Sequence, residues 1–423
     1  MSAEELIEAS PSRRSGWSSR LIDGFCRHLA FGQLQVRYPD GTATLHRGRF
    51  AGASGVLVVH APLKMTARLL TRGEVGFAES HVEGHWSTPD LGELLRVLYD
   101  NLEHLGAGPR GMRWSRLWDR LSHRLRDNHK LNSRRNIAHH YDLGNDFYRL
   151  WLDRTMTYSS ALFEDRARED LATAQERKYA RLLDALDAQP GQHILEIGCG
   201  WGGFAELAAR RGLRVTGVTL SREQLAYAQA RIAAAGLSDR VELCLEDYRD
   251  IQGQFDHAVS IEMMEAVGEA FWPTYYRTFG RLVKPGGRVA LQVITINEDD
   301  FPVYRRQPDF VQLYIFPGGM LPTPERMARE AADAGLRVLA TDGFADDYAE
   351  TLRRWRSAFN AAETEIARMG YDARFRRMWR YYLAYCETGF ETGCIDLVQT
   401  VLEVPGGEDR GARVEGHKVN GQG

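Results

Sequence analysis

ILEIGCGWGGFAEL, Ile194 to Leu207, sets four glycines within six residues between an apolar run and an alanine-bearing run. A strand that ends in glycines and opens a helix brings bare backbone N–H groups close to a ligand. Gly198, Gly200 and Gly203 satisfy G-x-G-x-x-G, so a dinucleotide site has to be tested. Such a site wants an acid about 20 positions further on, for the ribose hydroxyls. Here the next strand closes on Val218-Thr219-Leu220, with no acid.

The acid instead precedes the glycines, as Glu196 in E-x-G-x-G. That order resembles the signature of S-adenosylmethionine methyltransferases, in which the acid orients the methionine end of the cofactor. Two nearby stretches suit an adenosine ligand. Ser221-Arg-Glu-Gln224 sets Gln224 near ribose hydroxyls, and the same residues also read as a helix-capping box. In LEDYRD, Asp247 and Tyr248 are placed to meet the amino group and the face of adenine.

From about residue 190 the chain alternates strands with helices. HILEIGCG, RVTGVTLS, VELCLEDY, HAVSIEM and RVALQVITI read as strands, and REQLAYAQARIAAAG as a helix between two of them. The pattern predicts an α/β fold, a parallel sheet covered by helices on both faces. The first hundred residues read as a smaller α+β unit. It has a short helix from residue 17, a hairpin in LQVRYPDGTATLHRG turning at Pro39-Asp40-Gly41, a strand in GVLVVHAP and a helix in LGELLRVLYDNL. A glycine-rich linker begins at Gly106. Residues 106–135 then carry Arg113, Arg116, Arg120 and Arg124 among Trp114, Leu117, Trp118, Leu121 and Leu125 at helical spacing. Such a helix suits an anionic lipid surface, or serves as a connector whose Trp face packs on its own protein. The expected units are residues 17–105 and 136–403, with 1–16 and 404–423 as disordered ends.

Composition narrows the classes. The 423 residues are 43 % hydrophobic and carry a formal charge of −3, which gives no general attraction to nucleic acid. The five cysteines are spread without a C-x-x-C pair, as suits reduced thiols in a cytosol rather than a disulfide frame or a metal site. No window approaches about 18 uncharged apolar residues, and the first residues lack the apolar core of a signal peptide. A cytoplasmic protein that meets the membrane from its inner face is the expectation.

Longer motifs sharpen this. HYDLGNDFYRLWLDRTMTYSSALF (140–163), LEIGCGWGG, GVTLSREQ, DYRD, SIEMMEAVG (260–268) and YIFPGGMLP (314–322) occur in this order, after GFAESHVEGHW (76–86). Together they resemble the cyclopropane-fatty-acyl-phospholipid synthase family, including the mycolic acid cyclopropane synthases and the fatty-acid methylene- and methyltransferases, over roughly residues 17–403. The resemblance implies a class I S-adenosylmethionine methyltransferase, a Rossmann-like, mostly parallel seven-stranded sheet with the N-terminal domain meeting lipid. It further implies a homodimer and a substrate of unsaturated acyl chains in phospholipid. Tyr158, Ser159, Thr219 and Leu220 would join Glu196, Gly198, Gly200, Gln224, Asp247 and Tyr248 around the cofactor.

The same resemblance implies a bound bicarbonate as base, caged at the positions of Ser160, Glu265, Gln292, Ile294 and Tyr314. Cyclopropane-forming members carry cysteine and histidine where this chain has Ser160 and Gln292. A glutamine offers an amide donor but no positive charge, so it attracts an anion less than histidine would. LQVITI resembles the branch that leaves a methylene or methyl group, and favours that product over a ring. The segment from Asp299 to Pro324, rich in aromatics, is expected to wall an acyl tunnel. A small-molecule methyltransferase and a lipid-binding protein with a degenerate domain are the competing readings.

Overall fold

The computed structural model describes residues 17–102, 104–105 and 143–406. The basic stretch 110–135, Tyr141, the first sixteen residues and the tail from 407 lie outside the described residues.

The larger sheet has seven strands: β5 (His193–Ile197), β6 (Arg214–Thr219), β7 (Val241–Leu245), β8 (His257–Ile261), β9 (Arg288–Ile296), β10 (Arg337–Gly343) and β11 (Ile395–Glu403). Their order is β10-β11-β9-β8-β5-β6-β7. β11 runs antiparallel to both neighbours, and the pairs from β9 through β7 are parallel. β5 is the middle of the five parallel strands, with β6 on one side and β8 on the other. The order of connection reverses there, and in such sheets ligands sit beyond the carboxyl ends of the strands at that point. The last two strands escaped the sequence reading. Every residue of β10 is exposed, so it has no buried face to betray it. Val404, expected to begin a disordered tail, is instead buried, and its backbone bonds with Gly286 and Gly287.

The N-terminal unit comprises α1 (Trp17–Cys26), β1 (Phe31–Arg37), β2 (Ala43–Arg47), β3 (Phe50–Val59), α2 (Pro62–Val82), β4 (Trp86–Ser87) and α3 (Leu91–Asp100). Its sheet order is β2-β1-β3-β4. The hairpin turns where the sequence predicts: Gly41 takes φ +81° and donates to the Tyr38 carbonyl. Helix α2 was not legible because Gly73, at φ 57° and ψ −132°, breaks its periodicity midway.

This unit is less separate than its sequence suggests. Leu34, Val36, Trp86 and Leu94 share one hydrophobic core with Trp355 and Phe359 of the helix Ala345–Ala361, and with Trp379 and Tyr381 of the helix Ala373–Glu391. Tyr381 packs against His81 and Trp86 at centroid distances of 5.8 and 6.5 Å. Arg377 Nε donates to the Val82 carbonyl at 2.8 Å. A core common to both units couples their stability. Trp86→Ala therefore costs about 3–5 kcal/mol, and calorimetry should show one cooperative transition at lower temperature rather than selective loss of the small unit.

Candidate active site

The end of β5 behaves as the glycine pattern predicts. Glu196 is buried, and its Oε2 has no hydrogen-bond partner in the protein. Burial holds its carboxyl well above the usual carboxylate range, against the opposing pull of Arg231 and Lys178. Gly198 and Cys199 both donate to the Val218 carbonyl at 3.0 Å, which ties the turn to β6. Gly200 has φ +50°, and a Cβ there would meet nothing within 4 Å, so its backbone stands open to a ligand. The helix Gly203–Arg210 starts directly afterwards.

At the end of β6, Ser221 caps the helix Arg222–Ala234 by accepting from the Gln224 N–H at 3.2 Å. Thr219 Oγ1 donates to Gln224 Oε1 at 3.0 Å and leaves that amide's N–H groups for another partner. Leu220 is half-buried in the same turn. Beyond β7, Asp247 is buried and gripped by Arg249, Nε to Oδ1 at 2.8 Å and Nη2 to Oδ2 at 2.6 Å. The Tyr248 ring leans edge-on against Tyr275 at 5.7 Å, and its buried hydroxyl has no partner. An orphaned buried carboxyl oxygen on the strand that leads into an open glycine turn fits a polar ligand such as S-adenosylmethionine, whose ammonium group would satisfy Glu196.

Tyr158 stands in an aromatic enclosure, its ring 5.5, 5.4 and 5.3 Å from Tyr148, Trp151 and Trp355. Its hydroxyl meets that of Tyr382 at 2.8 Å. The neighbouring Ser159 accepts a 2.6 Å hydrogen bond from Lys178 Nζ. Lys178 is fully buried, and burial pushes its ammonium down to about 7 against the attraction of Glu262, Asp153 and Glu196.

Beyond β8 the chain turns through Glu262, a non-glycine residue at φ +49°. Its Oε1 accepts from the Ser160 N–H at 2.8 Å and from Gln292 Nε2 at 2.7 Å, and its Oε2 accepts from the Tyr348 hydroxyl at 2.6 Å. Gln292 is oriented in turn by Gln399, whose Nε2 donates to Gln292 Oε1 at 2.9 Å. Glu265 accepts from the Ile294 N–H at 2.5 Å through Oε1, while its buried Oε2 lacks a partner. Burial and the charge of Glu262 push the Glu265 carboxyl up to about 8. Both glutamates keep some accessible surface despite the burial that raises their pKa values. We read that remaining surface as the wall of a substrate cleft.

The structure thus brings Ser160, Glu265, Gln292 and Ile294 together. Tyr314 is engaged elsewhere: its hydroxyl donates to Glu79 of α2. The residues do not fit a bound bicarbonate. The Ser160 N–H goes to Glu262, the Gln292 amide donates to Glu262 and toward the Ser160 carbonyl at 3.4 Å, Ile294 spends its N–H on Glu265, and the Ser160 hydroxyl donates to the Ala161 carbonyl at 2.9 Å. A further anion would meet two carboxyl groups without the donors assigned to it.

Segment 299–324 lies over this cleft. The Met320 N–H bonds to the Glu265 carbonyl at 2.8 Å, and Phe316 faces Tyr382 at 6.1 Å. Of the aromatics there, Phe310 is plain core, while Tyr304, Tyr314 and Phe316 remain partly open. Sequence reading missed Glu262, Lys178 and Tyr348. Glu262 stood in the quoted SIEMMEAVG, three residues from the acid that was chosen; Lys178 and Tyr348 gave no local signal.

A family model described as mycolic acid cyclopropane synthetase matches residues 128–400. The chain is 42 % identical over 393 residues to the tuberculostearic acid methyltransferase UfaA1 of Mycobacterium tuberculosis, covering 91 % of this chain and 90 % of that one. It is 34 % identical to the cyclopropane-fatty-acyl-phospholipid synthase of Escherichia coli, over 82 % and 87 % of the two chains. Among solved structures, the mycolic acid cyclopropane synthase CmaA1 complexed with SAH and CTAB aligns with a TM-score of 0.60 at 30 % identity, over 66 % of this chain and 99 % of that one.

Glu196→Gln tests the cofactor end. It removes an unpaired buried carboxyl, so thermal stability should hold or rise, whereas titration calorimetry should show S-adenosylmethionine affinity falling at least about tenfold, the worth of one charge-assisted bond.

Proposed function

The chain belongs to the mycolic acid cyclopropane synthetase family, and from that premise we propose that it adds a carbon from S-adenosylmethionine to the double bond of an unsaturated acyl chain in membrane phospholipid. One observation carries this: β5 and β8 are adjacent parallel strands, the first ending at the partnerless Glu196 carboxyl and the second at the Glu262–Glu265 pair. That adjacency supports a cofactor pocket and a proton-handling cleft lying side by side. When bound, the cofactor supplies a sulfonium methyl electrophilic enough for an isolated alkene to attack without a base.

The chain's own residues do the rest. Glu196 holds the cofactor's ammonium group, and Gly198 and Gly200 let the backbone approach. Thr219, Leu220, Gln224, Asp247 and Tyr248 receive the adenosine, while Tyr158 and Ser159 form the wall toward the substrate. The rings around Tyr158 turn apolar, electron-rich faces to a cation forming on the acyl chain and keep water from it. The product of this step is a methylene-branched chain rather than a ring, and a saturated methyl branch would follow only through a separate hydride donor. The neutral Gln292 at the histidine position supports this reading, as does the relative named for tuberculostearic acid.

Purified protein given S-adenosylmethionine and dioleoyl phosphatidylglycerol vesicles should yield acyl chains heavier by one methylene unit. Ozone should cleave the new group if it is an exocyclic methylene. A product that resists ozone and shows cyclopropyl proton resonances would reverse the choice of product without touching methyl transfer.

The basic stretch supports docking at the membrane surface. Exposed charges are screened beyond about 10 Å at ~0.1 M salt, so co-sedimentation with anionic vesicles should weaken as salt rises. Replacing Arg113, Arg116, Arg120 and Arg124 by Gln should weaken it further. Equal binding to neutral vesicles would reject the electrostatic contribution.

A further inference from the structure

We propose that Glu262 is the base of this enzyme: its carboxylate takes the proton from the methylated acyl cation, and it fills from within the chain the place a dissociable bicarbonate would occupy. The inference rests on the functional reading above and names the group that completes its reaction.

Three features converge on it. First, the Ser160 N–H and the Gln292 amide, both expected to hold an external anion, hold Glu262 Oε1, and Tyr348 adds a hydroxyl to Oε2. Donors from three distant segments thus meet on one carboxylate, which is how a fold builds an anion site. Second, Glu262 holds a left-handed conformation at φ +49°, which is strained for a non-glycine residue. Such strain persists where surrounding structure enforces it, and it concentrates at working sites. Third, the cleft's other carboxyl is a poor proton acceptor, because Glu265, held up to about 8, already carries its proton at neutral pH. Lys178, buried and attracted by Glu262, favours the ionised form of Glu262. Burial raises the Glu262 carboxyl above its usual range, against the pull of Lys178 and the three donors, which makes it a stronger proton acceptor than an exposed carboxylate.

The step balances. As the alkene carbon bonds to the methyl carbon, the carbon–sulfur bond breaks with its electron pair on sulfur, and the positive charge appears on the neighbouring acyl carbon. Glu262 then accepts one proton. If that proton leaves the new methyl group directly, its C–H pair closes a ring; if a hydride shifts first, the pair becomes an exocyclic double bond. Glu262 becomes a neutral acid and returns its proton to water when product leaves.

The test starts with the unmodified protein, dioleoyl phosphatidylglycerol vesicles and S-adenosylmethionine, in buffer stripped of carbon dioxide. Turnover should stay within about twofold of that with millimolar bicarbonate, and ¹³C-bicarbonate should show no bound resonance. Glu262→Gln should lose at least about a hundredfold in turnover with cofactor affinity unchanged by calorimetry. Glu262→Ala empties a pocket lined by Ser160, Gln292 and Tyr348. It should bind ¹³C-bicarbonate and regain at least tenfold in turnover when bicarbonate is added. A wild-type rate that collapses without bicarbonate and returns with it overturns the proposal. So does a Glu262→Gln variant that keeps more than about a tenth of the wild-type rate. The wild-type measurement decides even if both variants fail to fold. A wild-type protein that binds cofactor yet methylates no unsaturated lipid in either buffer defeats the functional reading itself, a result distinct from bicarbonate dependence.

Discussion

An ion inside a protein costs several kcal/mol unless donors or an opposite charge replace the water it loses. Glu262 imposes that requirement here, and much of the catalytic unit is arranged to meet it. The loop bearing Ser160, strand β9 with Gln292, and the helix bearing Tyr348 each deliver a hydrogen bond to one side chain. Lys178 supplies the nearby positive charge from a fourth segment, while bonding to Ser159. The two halves of the site therefore share one electrostatic frame. Lys178 is attracted to Glu196 and to Glu262 alike.

The N-terminal unit enters this frame through Glu79, in the motif GFAESHVEGHW. Its carboxylate meets Arg72 at 2.9 Å and Arg68 at 3.2 Å, and it accepts the Tyr314 hydroxyl from the segment covering the cleft. That contact gives the motif a physical purpose: it anchors the cover of the cleft to the smaller unit. The common core makes the anchorage firm, because Trp86 and Tyr381 pack the same helix pair whose residues Tyr348 and Trp355 reach the site. The polar anchor and the apolar core thus hold the same two elements in register.

The family's expected anion cage and the observed one use overlapping donors for different guests. Gln292 lacks the charge with which a histidine would recruit a free anion, yet its amide is well suited to a tethered carboxylate oxygen, especially once Gln399 fixes its orientation. Taken alone, the change from histidine to glutamine weakens a site. With Glu262 beside it, the same change accommodates a carboxylate already linked to the chain.

What the sequence determined by itself was whatever depends on neighbours along the chain. The strand–glycine–helix turn at 194–207, the Ser221 cap, the hairpin at Gly41 and the acid of E-x-G-x-G all follow from φ preferences, short-range hydrogen bonds and periodicity within a few residues. Ordered motifs added the family and the positions of Ser160, Glu265, Gln292 and Ile294. Only the tertiary structure decided what those side chains hold, because positions 160, 262, 292 and 348 meet through sheet register and helix packing rather than spacing. For the same reason the exposed strand β10, the kinked helix α2 and the Tyr314–Glu79 contact left no mark in the sequence. A hydrogen bond across a fold is fixed by the backbone that carries its two ends, and that backbone is set by the whole core.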